Sequence, residues 1–468
     1  MQAFLKHRGV GVTDESARQT VLFPDLSDKP VVATFDEPHS SSDGGAILLR
    51  AIDGHLGLTD RLAAAVTDAR DAAKVRHELR DLIAQRLYGI ACGYPDANDA
   101  DALADDPIQK LLLGRDPVAG ARLASQPTLS WFESRATPRW LFRLAEAFTD
   151  AQIAHQQRRL RGRARRITVD LDVTDDPTHG AQQLTFFNGH YDTWCYLPLL
   201  AFVTFDHERE QHLVAAILRP GNAAATDGVV GLVKRLLPRL WQAFPGARIR
   251  MRMDGGFASP LLFDVLEAAK VEYLIAMGEN SVLTAAAAPY LEQIREASTA
   301  SHETTKVYGE CQYRSRSWPH ERRVIIKAEI TCLAGREPQD NPRFVVTNLP
   351  QTPRWIYKHV YCARGEIENR IKELKALDID RTSCCRFWAN QLRVLLTAAA
   401  YVLIQELRRR AAGTAYARAQ VTTLRERLSK LSARVVVSAR RMVLHLPAAC
   451  PSAHAWRAIA LACGASSA

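Results

Sequence analysis

The sequence predicts an α/β fold, with a mixed sheet at its core, a helical region before it and an added β segment within it. Three observations predict this. Between residues 167 and 277, apolar runs of strand length and amphipathic runs alternate in the order strand, strand, strand, helix, strand, helix, strand. From Gly44 to about Gln157 the apolar residues recur at helical spacing instead. From 281 to 353 the pattern turns to short alternating segments that suit an antiparallel sheet.

At 468 residues the chain is long enough for roughly two to four domains. Its 61 Lys and Arg outnumber 51 Asp and Glu, a formal charge of +10, which favours a polyanionic partner. The nine cysteines show no Cys-x-x-Cys and no pairing pattern, so a reduced compartment is expected and a zinc site is not. The first residues lack a signal-peptide core. The apolar runs YLPLLAFVTF and LLTAAAYVLI are too short to span a bilayer. A cytoplasmic protein without a membrane partner is the expectation.

Taken in order, residues 1 to about 45 are weakly patterned, with a Ser/Gly/Asp loop at HSSSDGG. Val75, Leu79, Leu82, Ile83, Leu87 and Ile90 share one helix face, and Gly93 with Pro95 ends that element. Thr128 and Pro138 mark further helix starts. Short helices with tight turns suit a helix-turn-helix laid on DNA, and equally a plain bundle. The densest basic run, Arg158 to Arg166, stops at the first clear strand, ITVDLDV, which sets Asp170 and Asp172 on the same side of the pleat.

WCYLPLLAFVTFD and HLVAAILRPG supply the next two strands. VVGLVKRLLPRLWQAF reads as an amphipathic helix interrupted by Pro238. ARIRMRMDGGF is a strand ending at Asp254, SPLLFDVLEAAK a helix and VEYLIAMG a buried strand. The segments TTKVYGECQYRS, RRVIIKAEITCLA and PRFVVTNL then form the added sheet, separable from the core, before helical pattern resumes at about Ile356. The tail holds a helix at about 417–432, a strand-like ARVVVSARRMVLHL and an Ala-rich end.

The stretch YCARGEIENRIKELK carries Tyr361, Arg364, Glu368 and Lys375 at steps of three, four and seven, which bring all four to one helix face. An aromatic, two cations and an acid make a poor core stripe. The alternatives are a solvated face of i, i+4 ion pairs or a place where a metal sits beside phosphate. The strand order is that of a ribonuclease-H-like domain, in which one acid lies on the first strand, a second after the fourth and a third on a later helix. Here those are Asp172, Asp254 and Glu368. Three carboxylates at one edge repel unless a divalent cation neutralises them, and two such ions roughly 4 Å apart activate a nucleophile and stabilise a leaving oxygen in phosphoryl transfer.

Tyr361-x2-Arg364-x3-Glu368-x6-Lys375 resembles the Tyr-Arg-Glu-Lys signature of bacterial insertion-sequence DDE transposases, the cut-and-paste branch with a β-strand insertion before the catalytic Glu (transposase DDE domain group one). DLDVTDDPTHG and MRMDGGF resemble that family's two aspartate motifs, and PRFVVTNL the last strand of its insertion. The resemblance covers roughly residues 125 to 445. It implies an RNase-H-like catalytic core with a β-strand insertion, preceded by an α-helical DNA-binding region. It implies binding of terminal inverted repeats and target DNA, a homodimer in the synaptic complex, and metal-dependent strand cleavage and transfer.

Carried over by position, Asp172, Asp254 and Glu368 hold Mg²⁺, with Mn²⁺ as substitute, and Tyr361, Arg364 and Lys375 contact DNA. Asp170 and Asp175 compete with Asp172, which fits the family's Asp-x-Thr pattern at the strand end. Phe344 and Trp318 are candidates for stacking on a flipped base. The segments expected are 1–157 (helical, DNA-binding), 165–280 (core), 281–353 (insertion), 354–410 (core with Glu368) and 411–468 (dimerisation or DNA contact). His179, His190 and Asp192 make a weaker metal candidate, and no glycine loop indicates a nucleotide cofactor. The alternatives are a nuclease of this fold without strand transfer and a catalytically silent DNA-binding protein. A bacterial, nucleoid-associated location follows from the family.

Overall fold

The computed structural model describes residues 20–333 and 335–466. One nine-stranded sheet organises it. Its strands are β1 (Arg166–Val173), β2 (Leu199–Phe205), β3 (His212–Ile217), β4 (Arg248–Met253), β5 (Glu272–Met277), β6 (Thr305–Tyr313), β7 (Arg322–Thr331) and β8 (Arg343–Thr347), with Gln339–Asp340 added to β7. Across the sheet the order is β6-β7-β8-β5-β4-β1-β2-β3. β4 runs parallel to both β1 and β5, while β2, β3 and β8 are antiparallel to their neighbours.

The expected insertion is therefore not a separable sheet. β8 pairs directly with β5, Phe344 opposite Met277, and β7 pairs with β8, so the added strands widen the core sheet. An unpaired β5 would present open backbone groups, and β8 satisfies them. The segment also begins with a helix that the β reading of 281–353 did not include.

The principal helices are α1 (Leu79–Cys92), α2 (Pro138–Leu160), α3 (Val229–Ala243), α4 (Pro260–Ala268), α5 (Ser281–Ser301), α6 (Glu366–Lys375) and α7 (Phe387–Arg410). α3 runs through Pro238 and α5 through Pro289, so neither proline interrupts its helix as expected for Pro238. Burial of one apolar stripe by each outweighs the lost backbone bond. Asn280 caps α5 by accepting from the Val282 and Leu283 amides.

The two faces of the sheet differ. Ile167, Val169 and Leu171 of β1 and Ile249, Met251 and Met253 of β4 turn to the face covered by α3, α4 and α5. On the other face, Leu200, Phe202 and Leu213 pack with α1 and α7, and Leu274, Ile325 and Val345 pack with Ile356 and Val360. Between those two apolar clusters lie the polar alternates of the middle strands: Thr168, Asp170, Asp172, Arg250 and Arg252, all buried. A two-residue period has placed a buried polar strip down the centre of the sheet.

α7 is long and apolar enough to cross a membrane by length and composition, and 94% of its apolar window is buried inside the fold. It is the axis of a helical layer that joins the N-terminal and C-terminal segments in one core: Leu49, Leu87, Leu403 and Leu428 belong to the same cluster. HSSSDGG is no loose loop. Ser40–Ser41 pairs with Ala433–Arg434, and a Cβ at Gly45 would meet the Leu428 carbonyl oxygen at 1.7 Å. Only glycine permits that approach. The tail helix at 417–432 shortens to Val421–Leu424 followed by a turn at Arg425–Ser429. All nine cysteines are free thiols.

Candidate active site

Because β1 and β4 are adjacent and parallel, with Arg252 opposite Asp170, their carboxyl ends emerge side by side. Asp172 sits at the end of β1, and Asp254 follows the last residue of β4. Asp254 Oδ1 accepts the Gly256 amide at 2.9 Å, capping a short turn. A Cβ at Gly256 would approach Ala225 Cβ to 2.9 Å and Asp254 Oδ1 to 3.2 Å, so glycine keeps this corner tight.

Arg364 Nη2 reaches both acids, 3.0 Å from Asp172 Oδ2 and 3.5 Å from Asp254 Oδ2. Burial pushes the Asp172 carboxyl up to about 6; Arg364 opposes the rise, and Asp254 and Glu368 add to it. Arg364 Nε is buried without a partner. Tyr361 is half-buried beside Tyr357, ring centroids 5.4 Å apart, and burial raises its phenol.

The stretch holding these residues is not one regular helix. It is a π-turn at Ile356–Tyr361, a 3₁₀ turn at Cys362–Gly365 and then α6. Such changes of helical pitch are frequent where side chains must be re-aimed at a functional site. Here the change points Arg364 at the acids and leaves Glu368, one turn on, exposed. Lys375 Nζ is 2.8 Å from Asp175 Oδ1 and 3.9 Å from Asp380.

The structure separates the three aspartates that compete on β1 and the turn after it. Asp170 is fully buried and doubly bonded to Arg252, Nε to Oδ1 and Nη2 to Oδ2 both at 2.7 Å, with Gln211 donating at 2.8 Å. It is a structural ion pair. Asp175 is engaged by Lys375, which leaves Asp172 as the acid shared with Asp254.

Glu368 does not complete a three-acid metal set as the side chains stand. Among the described residues no three His, Cys, Asp or Glu side chains are arranged to hold a metal ion, which also sets aside His179, His190 and Asp192. The donor chemistry nonetheless fits a divalent cation: two hard carboxylate oxygens converge on one point, already filled by a positive nitrogen, with a third carboxylate nearby.

Trp318 and Phe344 are not where base stacking would need them. Trp318 is 4% exposed and Phe344 2%. Trp318 stands edge-on to Phe263 at 5.1 Å and Tyr313 at 5.4 Å, with the Arg322 guanidinium 5.1 Å from its ring centre. Both belong to the core cluster between the sheet and its helices, and Trp318 packs on Phe263 of α4.

Two features went unread. Tyr191 Oη lies 3.5 Å from the Val173 carbonyl, and burial with the charges of Asp175, Asp172 and Asp254 pushes its phenol up to about 12. Asp176 is fully buried, with both oxygens bonded by Thr382 Oγ1 at 2.9 and 2.8 Å. Their only sequence signal was the density of aromatics and acids after β1. A cavity of about 1020 Å³ lies over the buried polar strip and is lined by Arg166, Arg250, Glu210, Lys372 and Arg408 among others. None of Asp172, Asp254 and Glu368 lines it.

No curated protein matches this chain. A solved structure, the piggyBac transposase synaptic complex with hairpin DNA, overlaps 82% of this chain and 76% of its own at 12% identity and a TM-score of 0.36, a loose likeness from which nothing about this chain follows. The family described as transposase DDE domain, group 1, matches residues 23–463. With nearly the whole length matched and two acids paired at adjacent strand ends, the chain belongs to that transposase family.

Proposed function

We propose that this chain is a DNA transposase that binds the terminal inverted repeats of a bacterial insertion sequence and cuts and rejoins strands there. One observation carries the reading: Asp172 and Asp254, at the ends of adjacent parallel strands, share a single cationic nitrogen of Arg364. The strand order β3-β2-β1-β4-β5, with an acid after β1 and another after β4, supports an RNase-H-like core.

Asp172, Asp254 and Glu368 would hold Mg²⁺, or Mn²⁺ in its place. When bound, such a cation lowers the pKa of an attacking hydroxyl and neutralises charge on the leaving oxygen. The chain's own groups do the rest. Arg364 sets the charge balance between the acids, and Tyr361 and Lys375 flank them as DNA contacts. The basic balance of +10 draws the phosphate backbone in, a contribution that weakens with salt as counterions are released. Two copies would bring two ends together, with residues 411–468 available to that contact.

The test is cleavage of duplex DNA ending in the element's own repeats, with Mg²⁺ and with EDTA. Cut and joined products with Mg²⁺ alone are expected. Asp172→Asn, Asp254→Asn and Glu368→Gln should each lower the rate on the order of 10³-fold, since each removes several kcal/mol of charge stabilisation. Cut but never joined products would make the protein a nuclease. Undiminished cleavage by one variant would remove that acid from the site.

A further inference from the structure

We infer that Phe187 and Trp194 form a stacking platform for unpaired bases of the DNA strand being processed. They lie on a small three-stranded ribbon that follows β1, formed by Asp176–Pro177, Thr193–Tyr196 and Phe186–Asn188. Phe187 stands opposite Trp194 in register, so the two rings share one face, with centroids 6.4 Å apart and planes at 66°. Phe187 is 52% exposed and Trp194 56%, and Leu184 and Phe186 beside them are exposed too. A folded chain rarely leaves large rings together in water without a use for them.

The scaffold under these rings is fixed. Tyr196 is fully buried, edge-on to Phe387 at 5.5 Å, and its hydroxyl donates to the Gln183 carbonyl at 2.7 Å. The Thr178 amide donates to the Trp194 carbonyl at 2.8 Å, and Asn188 Nδ2 to the Gly221 carbonyl at 2.9 Å. A Cβ at Gly221 would lie 2.1 Å from the Cys195 carbonyl oxygen, so the ribbon is seated directly on the backbone there. Rigid, half-exposed rings stack on a planar partner at little entropic cost.

Position selects the partner. The ribbon's turn carries Tyr191, whose hydroxyl touches the main chain beside Asp172, so platform and acids are joined by one short ribbon. A strand lying at the acids would continue along the ribbon that carries the rings. Every base has a π face, so aromatic pairs serve single strands without regard to sequence. A second protein surface suits the patch less well, because four exposed apolar side chains fall short of the ~800 Å² per partner of a stable interface.

This rests on the transposase reading for the identity of the strand, and its test is made without metal so that the two can fail separately. Full-length protein in EDTA is titrated against a labelled single strand of roughly 12–16 nucleotides and against the same sequence as duplex. Phe187→Ala and Trp194→Ala should each weaken single-strand binding roughly 5- to 100-fold, the share of one stacked base, and leave duplex binding unchanged. Trp194→Phe should retain most of the affinity, with all three variants folded by circular dichroism. Unchanged single-strand affinity in both alanine variants overturns the platform, and does so even if the wild type cuts DNA. Loss of a dimer in sedimentation with unchanged single-strand binding also overturns it, as a contact between copies. Weakened single-strand binding in a protein that cuts nothing with Mg²⁺ upholds the platform and sinks the strand-transfer reading instead.

Discussion

Arg364 Nη2 stands 3.0 Å from Asp172 Oδ2, so the arginine of the Tyr-Arg-Glu-Lys stripe faces the acids instead of solvent. Under the proposed function it is a counter-charge at the position the metal would take.

Arg364→Ala should therefore tighten Mn²⁺ binding at about pH 8. A charge-assisted hydrogen bond contributes about 1.5–3 kcal/mol, so removing the competitor should raise affinity on the order of ten-fold. The pH matters because burial already pushes the Asp172 carboxyl up to about 6 and Arg364 limits that rise; without it, protons compete more strongly with metal near pH 6. Titration calorimetry or manganese resonance reads the result. Weaker Mn²⁺ binding in the variant would make Arg364 a support of the metal site and not its rival.

Asp170 and Arg252 make the opposite prediction. Both are buried, and removing one leaves an uncompensated charge in the core. Arg252→Ala should lower stability by about 3–5 kcal/mol in urea unfolding. The mirror change, Asp170→Ala, should cost a similar amount, whereas Asp172→Asn should cost little. A stable Asp170→Ala protein that no longer cleaves DNA would move the catalytic role from Asp172 to Asp170.

Much of this was legible because local pattern and tertiary placement agree. The alternation in ITVDLDV put Asp170 and Asp172 on one side of β1, and both do face the polar strip. The Asp254-Gly-Gly strand end was visible as a turn signal, and the cap it forms is local. What sequence could not give was which of two neighbouring acids meets a distant arginine, since Arg252 and Arg364 lie 82 and 192 residues from Asp170 and Asp172. The widened sheet was hidden for a similar reason. Edge pairing of β8 with β5 is a long-range event that alternation alone cannot assign. α5 was obscured by Pro289 and by an Ala-rich, weakly amphipathic stretch. The burial of Trp318 and Phe344 depends on long-range packing, on Phe263 of α4 and on strand pairing with β5 and β7, which local pattern does not carry.

Those two aromatics now predict stability instead of DNA processing. Trp318→Ala and Phe344→Ala should each lower stability by about 3–5 kcal/mol, because each empties a packed site under α4 and α5. Cleavage should fall equally on intact and pre-melted DNA ends as the fold is lost. An unchanged melting temperature with selective loss on intact ends would return these rings to the DNA.

Asp176 predicts a pH dependence that has nothing to do with metal. Burial pushes its carboxyl up to about 8; the bonds from Thr382 and the charge of Lys375 act against the rise, and Asp380 and Asp175 add to it. The ordinary value is 3.8, so between about pH 4 and pH 8 the folded chain keeps a proton that the unfolded chain has released. The folded state then binds more protons, and this group's stabilising contribution is largest below about pH 4 and is lost as pH rises through about 8. Asp176→Asn keeps an oxygen for the Thr382 hydroxyl but never ionises. Unfolding free energies of variant and wild type should converge toward pH 4, draw apart steadily as pH rises to about 8 and keep that gap above it, with the asparagine protein the more stable. A variant less stable than the wild type at pH 9 would mean that Asp176 is held ionised, by Lys375 and Thr382, against its burial.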